Sequence, residues 1–123
     1  MDVVILYIGR IVFGGYFLYN AYNHFAHLAM MAGYAQAKGV PSPKLAVAGA
    51  GVLLGIGGIS ILLNVFPLVG LLALVLFLIP VTFMVHAYWK VQEPMARMGE
   101  TVNFAKNLAL LGAVLLLLTP HIG

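Results

Sequence analysis

The sequence has 123 residues, of which 63% are hydrophobic and only 7% are charged. A soluble domain carries about 25% charged residues, and so few charges cannot cover a core with polar surface. The composition therefore excludes a soluble globular protein and indicates a lipid bilayer as the main partner. The chain has no cysteine, which excludes disulfides and thiolate ligands. Its net charge of +3 is spread along the chain, so we expect no nucleic-acid partner.

Four apolar runs each approach the ~20 residues that cross a ~30 Å hydrocarbon layer. They predict helices at about 3–22, 45–63, 68–89 and 102–118. Only helices satisfy every backbone amide within such a segment. The expected fold is all-α, an integral membrane four-transmembrane-helix bundle forming a single transmembrane domain over residues 1–123. The first run lacks a basic leader, so we do not expect a cleavable signal peptide.

The connections between these runs differ in length. Residues 64–67 form a tight turn, so the second and third helices should pair as an antiparallel hairpin. Residues 23–44 and 90–101 are long and lie on the same side of the membrane, and residues 27–38 predict a short interfacial helix. The two long connections are therefore the places where polar groups can gather.

Proline and small polar residues mark the predicted helix ends. Ser42 is a candidate N-cap followed by Pro43, and Pro67 suits the start of the third helix. Thr101 is a candidate cap for the fourth helix. Pro80 falls inside the third helix, where its missing N–H predicts a kink.

Basic residues are concentrated on the side of the long connections. They are Lys38, Lys44, Lys90, Arg97 and Lys106. The positive-inside rule places that side in the cytoplasm and both ends of the chain outside. The expected location is the cell membrane, as a multi-pass protein.

Polar residues inside predicted membrane helices are candidates for function. The candidates for a ligand or quinone pocket are Arg10, Asn20, His24, His86, Lys106 and Asn107. All but Arg10 fall in the membrane third beside the long connections, where a bundle can bring them around one pocket. In the alternative interpretation, each polar side chain only forms a hydrogen bond to a neighbouring helix, which contributes about 0.6 kcal/mol to stability. Arg10 needs carbonyls, Ser60, Asn64, the C-terminal carboxylate or an anionic or quinone-like ligand, unless it snorkels to the surface.

Histidines on two helices raise the question of haem. His24 or His27 together with His86 has the arrangement that bis-His ligation requires. Histidine is also a common interhelical hydrogen-bonding residue, and this weighs against haem. No other metal site is predicted. The acidic residues are Asp2, Glu93 and Glu100 alone, which argues against paired-carboxylate chemistry.

Small residues line the second predicted helix. Gly51, Gly55 and Gly58 permit close backbone approach of a neighbouring helix. Contact inside the bundle is favoured over a seam between two copies of the chain.

Several short stretches resemble the DoxX-like family of small bacterial and archaeal membrane proteins. They are Ile8-Gly9-Arg10-Ile11, Tyr22-Asn23-His24-Phe25, Gly39-Val40-Pro41, Gly57-Gly58-Ile59-Ser60-Ile61-Leu62, Val85-His86 and Lys106-Asn107-Leu108-Ala109-Leu110-Leu111-Gly112. Their order and spacing extend over nearly the whole chain. The resemblance implies a four-helix membrane protein, with candidate site residues at Arg10, His24, His86, Lys106 and Asn107.

Some members of that family are subunits of quinone-linked oxidoreductases acting on reduced sulfur compounds. This chain departs from the family pattern at two positions. Leu54 stands where many members have a glutamate, which argues against proton-coupled redox chemistry, and His24 stands where others often have lysine. The family arrangement also implies both termini inside, opposite to the charge count, which we follow here.

Three functions remain open at this point. We rank first a non-catalytic accessory or scaffold subunit, packed against partner helices or lipid in a homo-oligomer or larger membrane complex. A quinone-linked oxidoreductase subunit ranks second, and a small bis-His haem protein ranks last. No activity of the chain alone is expected, and quinone is preferred to haem as a cofactor.

Overall fold

The computed structural model describes residues 2–122, which are helical with no strand. The helices are α1 (Asp2–Ala26), α2 (Leu28–Ala37), α3 (Pro43–Leu63), α4 (Pro67–Pro80) and α5 (Pro94–Leu118). Four segments are long and apolar enough to cross a membrane: Asp2–Ala26, Pro43–Leu63, Pro67–Lys90 and Pro94–His121. The predicted all-α membrane bundle is confirmed, and α2 lies where the short helix was predicted.

The helices pack in the order α1, α3, α4, α5, with α2 against α3. The most deeply buried apolar side chains are Phe17, Leu54, Leu74, Leu78 and Val114. Large apolar side chains elsewhere face outward, for example Val12 and Leu116. Because lipid tails are as apolar as this core, close van der Waals packing stabilises the bundle rather than burial of apolar surface from water.

Glycines bring the backbones of α1 and α3 close together. A Cβ on Gly14 would lie 2.9 Å from the carbonyl oxygen of Gly58, and a Cβ on Gly51 would lie 2.7 Å from the Phe25 ring. At Gly55 the nearest neighbour would be 4.0 Å away, an ordinary contact. Gly51 and Gly58 therefore face α1 of the same chain.

The third membrane segment covers Pro67–Lys90, close to the predicted 68–89, and it departs from regular α-helix directly after Pro80, the residue at which a kink was predicted. Regular α-helix ends at Pro80, and a π-helical turn follows at Val81–Val85. The amide of His86 closes that turn on the carbonyl of Val81 at 3.1 Å. Pro80 supplies no N–H and crowds the preceding turn, which explains the wider helix after it.

The fourth membrane helix begins eight residues earlier than predicted, at Pro94 rather than residue 102. Glu93 is its N-cap, because its carboxylate accepts from the amides of Met95 (3.1 Å) and Ala96 (2.6 Å). The predicted cap Thr101 was wrong, since it lies inside α5 and donates to the carbonyl of Arg97 at 2.7 Å. The earlier start places Glu100 on a helix instead of in a loop.

The α3–α4 hairpin is held by a serine at its turn. Ser60 Oγ donates to the carbonyls of Val65 (2.7 Å) and Phe66 (3.1 Å). Pro67 starts α4 as predicted. Ser42 occupies the N-cap position of α3 as predicted, but its φ of 45° is left-handed and its side chain forms no capping hydrogen bond.

The orientation predicted from charge can be tested by cysteine labelling, because the chain has no cysteine background. Gln36→Cys lies on exposed α2, and Val65→Cys lies in the opposite, exposed turn. In intact cells a membrane-impermeant maleimide is expected to label Val65→Cys and not Gln36→Cys. Labelling of Gln36→Cys alone would reverse the orientation. The unmodified chain is the control.

Candidate functional site

A cavity of about 620 Å³ lies at the end of the bundle that carries the long connections. All five helices contribute to its wall, for example through Tyr16, Tyr34, Ala50, Phe77 and Asn107. Its size falls within the range of small-molecule sites, which are mostly apolar with a few convergent polar groups.

The structure brings five of the six predicted pocket residues to this cavity. They are Asn20, His24, His86, Lys106 and Asn107. Arg10 lies elsewhere, where its Nη1 donates to the carbonyl oxygen of Ile61 at 2.9 Å. A carbonyl was among its predicted partners, and this bond links α1 to α3 away from the cavity.

His24 is held in place by its own helix. Its Nδ1 lies 2.7 Å from the carbonyl oxygen of Asn20, and its ring packs edge-on against Phe77 with centroids 5.9 Å apart. The Asn20 amide in turn donates to the carbonyl of Tyr16 at 2.8 Å. His24 is buried, and these contacts fix its ring against the cavity wall.

His86 belongs to a second polar group, which we name the Glu100 cluster. Its members are Glu100, Tyr34, Lys38, His86 and Asn103. The Glu100 carboxylate accepts from the Tyr34 hydroxyl, from Lys38 Nζ at 2.7 Å, from His86 Nδ1 at 3.2 Å and from Asn103 Nδ2 at 3.1 Å. Glu100 is 6% exposed, so these side chains, rather than water, provide nearly all of the hydrogen bonds and opposite charge that stabilise its carboxylate. The cluster ties α2 and the break after α4 to α5.

Glu100 was not among the predicted site residues, because the sequence of residues 90–101 is typical of a loop. A usable signal was present in Glu93-Pro94, an acidic cap followed by proline at the first helical position. A helix from that point places Glu100, Asn103 and Asn107 on one face at spacings of three and four.

Tyr34 and Lys38 complete the electrostatics of the Glu100 cluster. Burial, together with the hydrogen bond to the Glu100 carboxylate and its charge, raises the pKa of Tyr34 well above its ordinary value. Tyr34 therefore remains a neutral donor at physiological pH. Lys38 is 22% exposed, and its Nζ lies 5.4 Å from the centre of the Tyr34 ring.

His86 and Tyr34 stand between two openings. On one side is the cavity, and on the other is a shallower groove of about 420 Å³ lined by the Glu100 cluster with Ala96 and Gly99. Lys106 reaches from α5 toward α1, with Nζ 5.9 Å from the Tyr16 ring centre. The cavity thus has a histidine on each of two walls and an ammonium group near Tyr16.

Within residues 2–122 no group of three or more histidine, cysteine or acidic side chains is arranged to hold a metal ion. Of the predicted histidine pairs, only His24 and His86 line one cavity, because His27 is exposed at the bend between α1 and α2.

Comparison with known proteins places the chain in a family. No curated protein and no solved structure matches it. The DoxX family model matches residues 5–87, more than half of the chain. The matched part contains His24 and His86, whereas Glu100 and Lys106 lie beyond it. The chain therefore belongs to the DoxX family, and with its four apolar helices it is a small integral, multi-pass membrane protein.

Proposed function

We propose that this protein is a membrane subunit that binds a quinone-type lipid, with the aromatic head group in the cavity and the tail among apolar side chains. The observation that carries the proposal is the cavity itself. It is mostly apolar, about 620 Å³ in volume, and has polar groups from α1, α5 and the break after α4. Such a lining suits a ligand with an oxygen-bearing ring and a hydrocarbon tail.

Each part of the lining has a role in this proposal. The Lys106 ammonium donates to a ring oxygen, and the histidine rings contact the opposite edge of the head group. Leu54 and Leu110 contact the apolar part of the ligand. Because the polar groups gather at one end of the bundle, the head group has a fixed position and the tail points toward the membrane interior.

Electron transfer in this proposal belongs to a partner subunit. The chain has no cysteine, so it supplies neither a redox thiol nor ligands for an iron–sulfur cluster. We therefore propose an accessory role in a larger complex of the cell membrane, without turnover by this chain alone. This role combines the accessory subunit and the quinone-linked subunit that the sequence left as alternatives.

A bis-His haem site is the second candidate, and one observation favours it. Both His24 and His86 place Nδ1 against an oxygen acceptor, the arrangement that orients metal-bound imidazoles. A Soret band in the purified protein would support haem, and a colourless protein would exclude a stoichiometric haem.

Quinone content tests the main proposal. Protein purified in mild detergent is expected to yield about one extracted quinone per chain, and His86→Ala is expected to lower that content. Ala50→Phe fills the cavity wall and is expected to reduce it at least tenfold, a loss of about 1.4 kcal/mol. Ala105→Phe, at an exposed position of α5, is the matched control and is expected to retain quinone.

The proposal is wrong if wild-type protein contains no more quinone than its co-purified lipid accounts for. It is also wrong if Ala50→Phe and Ala105→Phe retain quinone equally. A scaffold that packs only against partner helices predicts the first result.

A further inference from the structure

Both cavity histidines use Nδ1 to contact a group that can only accept a hydrogen bond. For His24 this group is the backbone carbonyl of Asn20, and for His86 it is the Glu100 carboxylate. Nδ1 must therefore carry the proton in each ring. A neutral imidazole has one N–H, so the remaining nitrogen, Nε2, carries a lone pair.

The surroundings favour the neutral ring at both positions. Lys38 Nζ, at 2.7 Å, already balances the Glu100 charge, and Lys106 lines the same cavity as His86. A protonated His86 would add another cation to this poorly hydrated site, which is costly. His24 is 8% exposed and packs against Phe77, and among residues 2–122 no carboxylate contacts it.

The Nε2 atoms of the two rings are left available by the rest of the described chain. Within residues 2–122 neither Nε2 atom has a hydrogen-bond partner, yet the sole buried side-chain polar atom lacking one is Thr82 Oγ1. His24 and His86 both line the cavity, and no other group of the described residues engages either Nε2 atom. The cavity therefore presents two hydrogen-bond acceptors to whatever it holds.

We infer, on the basis of the proposed function, that the cavity binds the hydroquinone form of its ligand more tightly than the quinone form. A quinone carries carbonyl oxygens, which only accept and would face the histidine lone pairs unpaired. A hydroquinone carries O–H groups, which donate to them. Leaving a buried acceptor without a partner carries a substantial cost.

The other polar groups of the cavity do not reverse this preference. The Lys106 ammonium donates equally well to a carbonyl or to a hydroxyl oxygen, and the Asn107 amide offers both a donor and an acceptor. The Tyr16 hydroxyl also lines the cavity and can donate to a carbonyl or accept from a hydroxyl, so it does not distinguish the two forms. The Tyr34 hydroxyl is already committed to Glu100. The choice between the two ligand forms therefore depends on the histidines.

Glu100 is a positioning residue in this scheme, because it holds the proton of His86 on Nδ1. A glutamine at that position can turn its NH₂ group toward Nδ1. The proton of His86 then moves to Nε2, which becomes a donor and favours the quinone. Glu100→Gln is therefore expected to weaken or reverse the contribution of His86 to the preference for hydroquinone over quinone, while the contribution of His24 stays the same.

The test uses the purified full chain in detergent under anaerobic conditions, with calorimetric titration of a short-tailed alkyl hydroquinone, its quinone and its dimethyl ether. The ether has the shape of the hydroquinone without its donors. We expect the hydroquinone to bind at least about tenfold tighter than either of the others. The ratio is expected to fall severalfold in Glu100→Gln and to stay unchanged in Glu93→Gln, the same substitution at the exposed cap of α5.

The titrations distinguish the quinone site, the preference for hydroquinone and the positioning role of Glu100. Equal affinity for hydroquinone and quinone in the wild type would overturn the preference and leave the quinone site standing. Failure of all three probes to bind would overturn both. An unchanged ratio in folded Glu100→Gln would overturn the positioning role of Glu100.

Discussion

Replacing Gly14 with leucine is expected to separate α1 from α3 and leave little folded protein. A single Cβ at this position would already lie 2.9 Å from both the Gly58 carbonyl oxygen and the Leu62 amide nitrogen. These are backbone atoms of α3, so the helices must move apart. Overpacking of this kind costs about 3 kcal/mol or more. Thermal unfolding in detergent, followed by size-exclusion chromatography, measures the loss.

The adjacent glycine is the matched control for this prediction. A Cβ on Gly15 would meet nothing within 4 Å, so Gly15→Leu is expected to fold with nearly wild-type stability. Equal tolerance of leucine at positions 14 and 15 would contradict the close crossing of α1 and α3. Equal failure at both would indicate an intolerance unrelated to that crossing.

Replacing Glu100 with alanine is expected to cost about 3 kcal/mol of stability, since removing one member of a buried ion pair leaves its partner uncompensated. Glu100→Ala leaves Lys38, Tyr34 and His86 without their common acceptor. Glu93→Ala removes only a helix cap and is expected to cost about 1 kcal/mol. Unfolding free energies of the two variants provide the comparison.

A double-mutant cycle separates the ion pair from the rest of the cluster. Lys38→Met removes the ammonium and keeps much of the side-chain length. The combined Lys38→Met and Glu100→Ala variant is expected to lose clearly less stability than the sum of the two single changes. Strict additivity would show that Lys38 and Glu100 do not stabilise the fold through a direct interaction.

The membrane architecture could be predicted because it depends on length and composition. Each span needs about 20 apolar residues whatever its neighbours are. Pro43 and Pro67 mark the starts of α3 and α4 correctly because proline at the first helical position loses no hydrogen bond. The grouping of five pocket candidates around one cavity could be predicted, because the depth of each residue in the bundle can be counted along its helix.

The Glu100 cluster could not be predicted by the same reasoning. Hydropathy located the apolar part of α5 but not its polar first turns, so Glu100 was assigned to a loop. Its partners are Tyr34 on α2 and Lys38 at the C-cap of that helix, 66 and 62 residues earlier, and their contact depends on how α2 folds back over the bundle. At Pro80 a kink could be predicted from the missing N–H, but the π-helical form of the turn that precedes His86 could not.

Photoaffinity labelling tests the quinone site most directly. A photoreactive alkyl quinone analogue would be crosslinked to the full chain in detergent, and the labelled peptides would be identified by mass spectrometry. We expect competition by unlabelled quinone and loss of the label in Ala50→Phe. The expected labelled residues line the cavity on α1 and α5, namely Tyr16, Phe17, Asn20, His24, Lys106, Asn107 and Leu110. Label confined to outward-facing residues such as Val12 and Leu116, unaffected by competitor, would contradict the account.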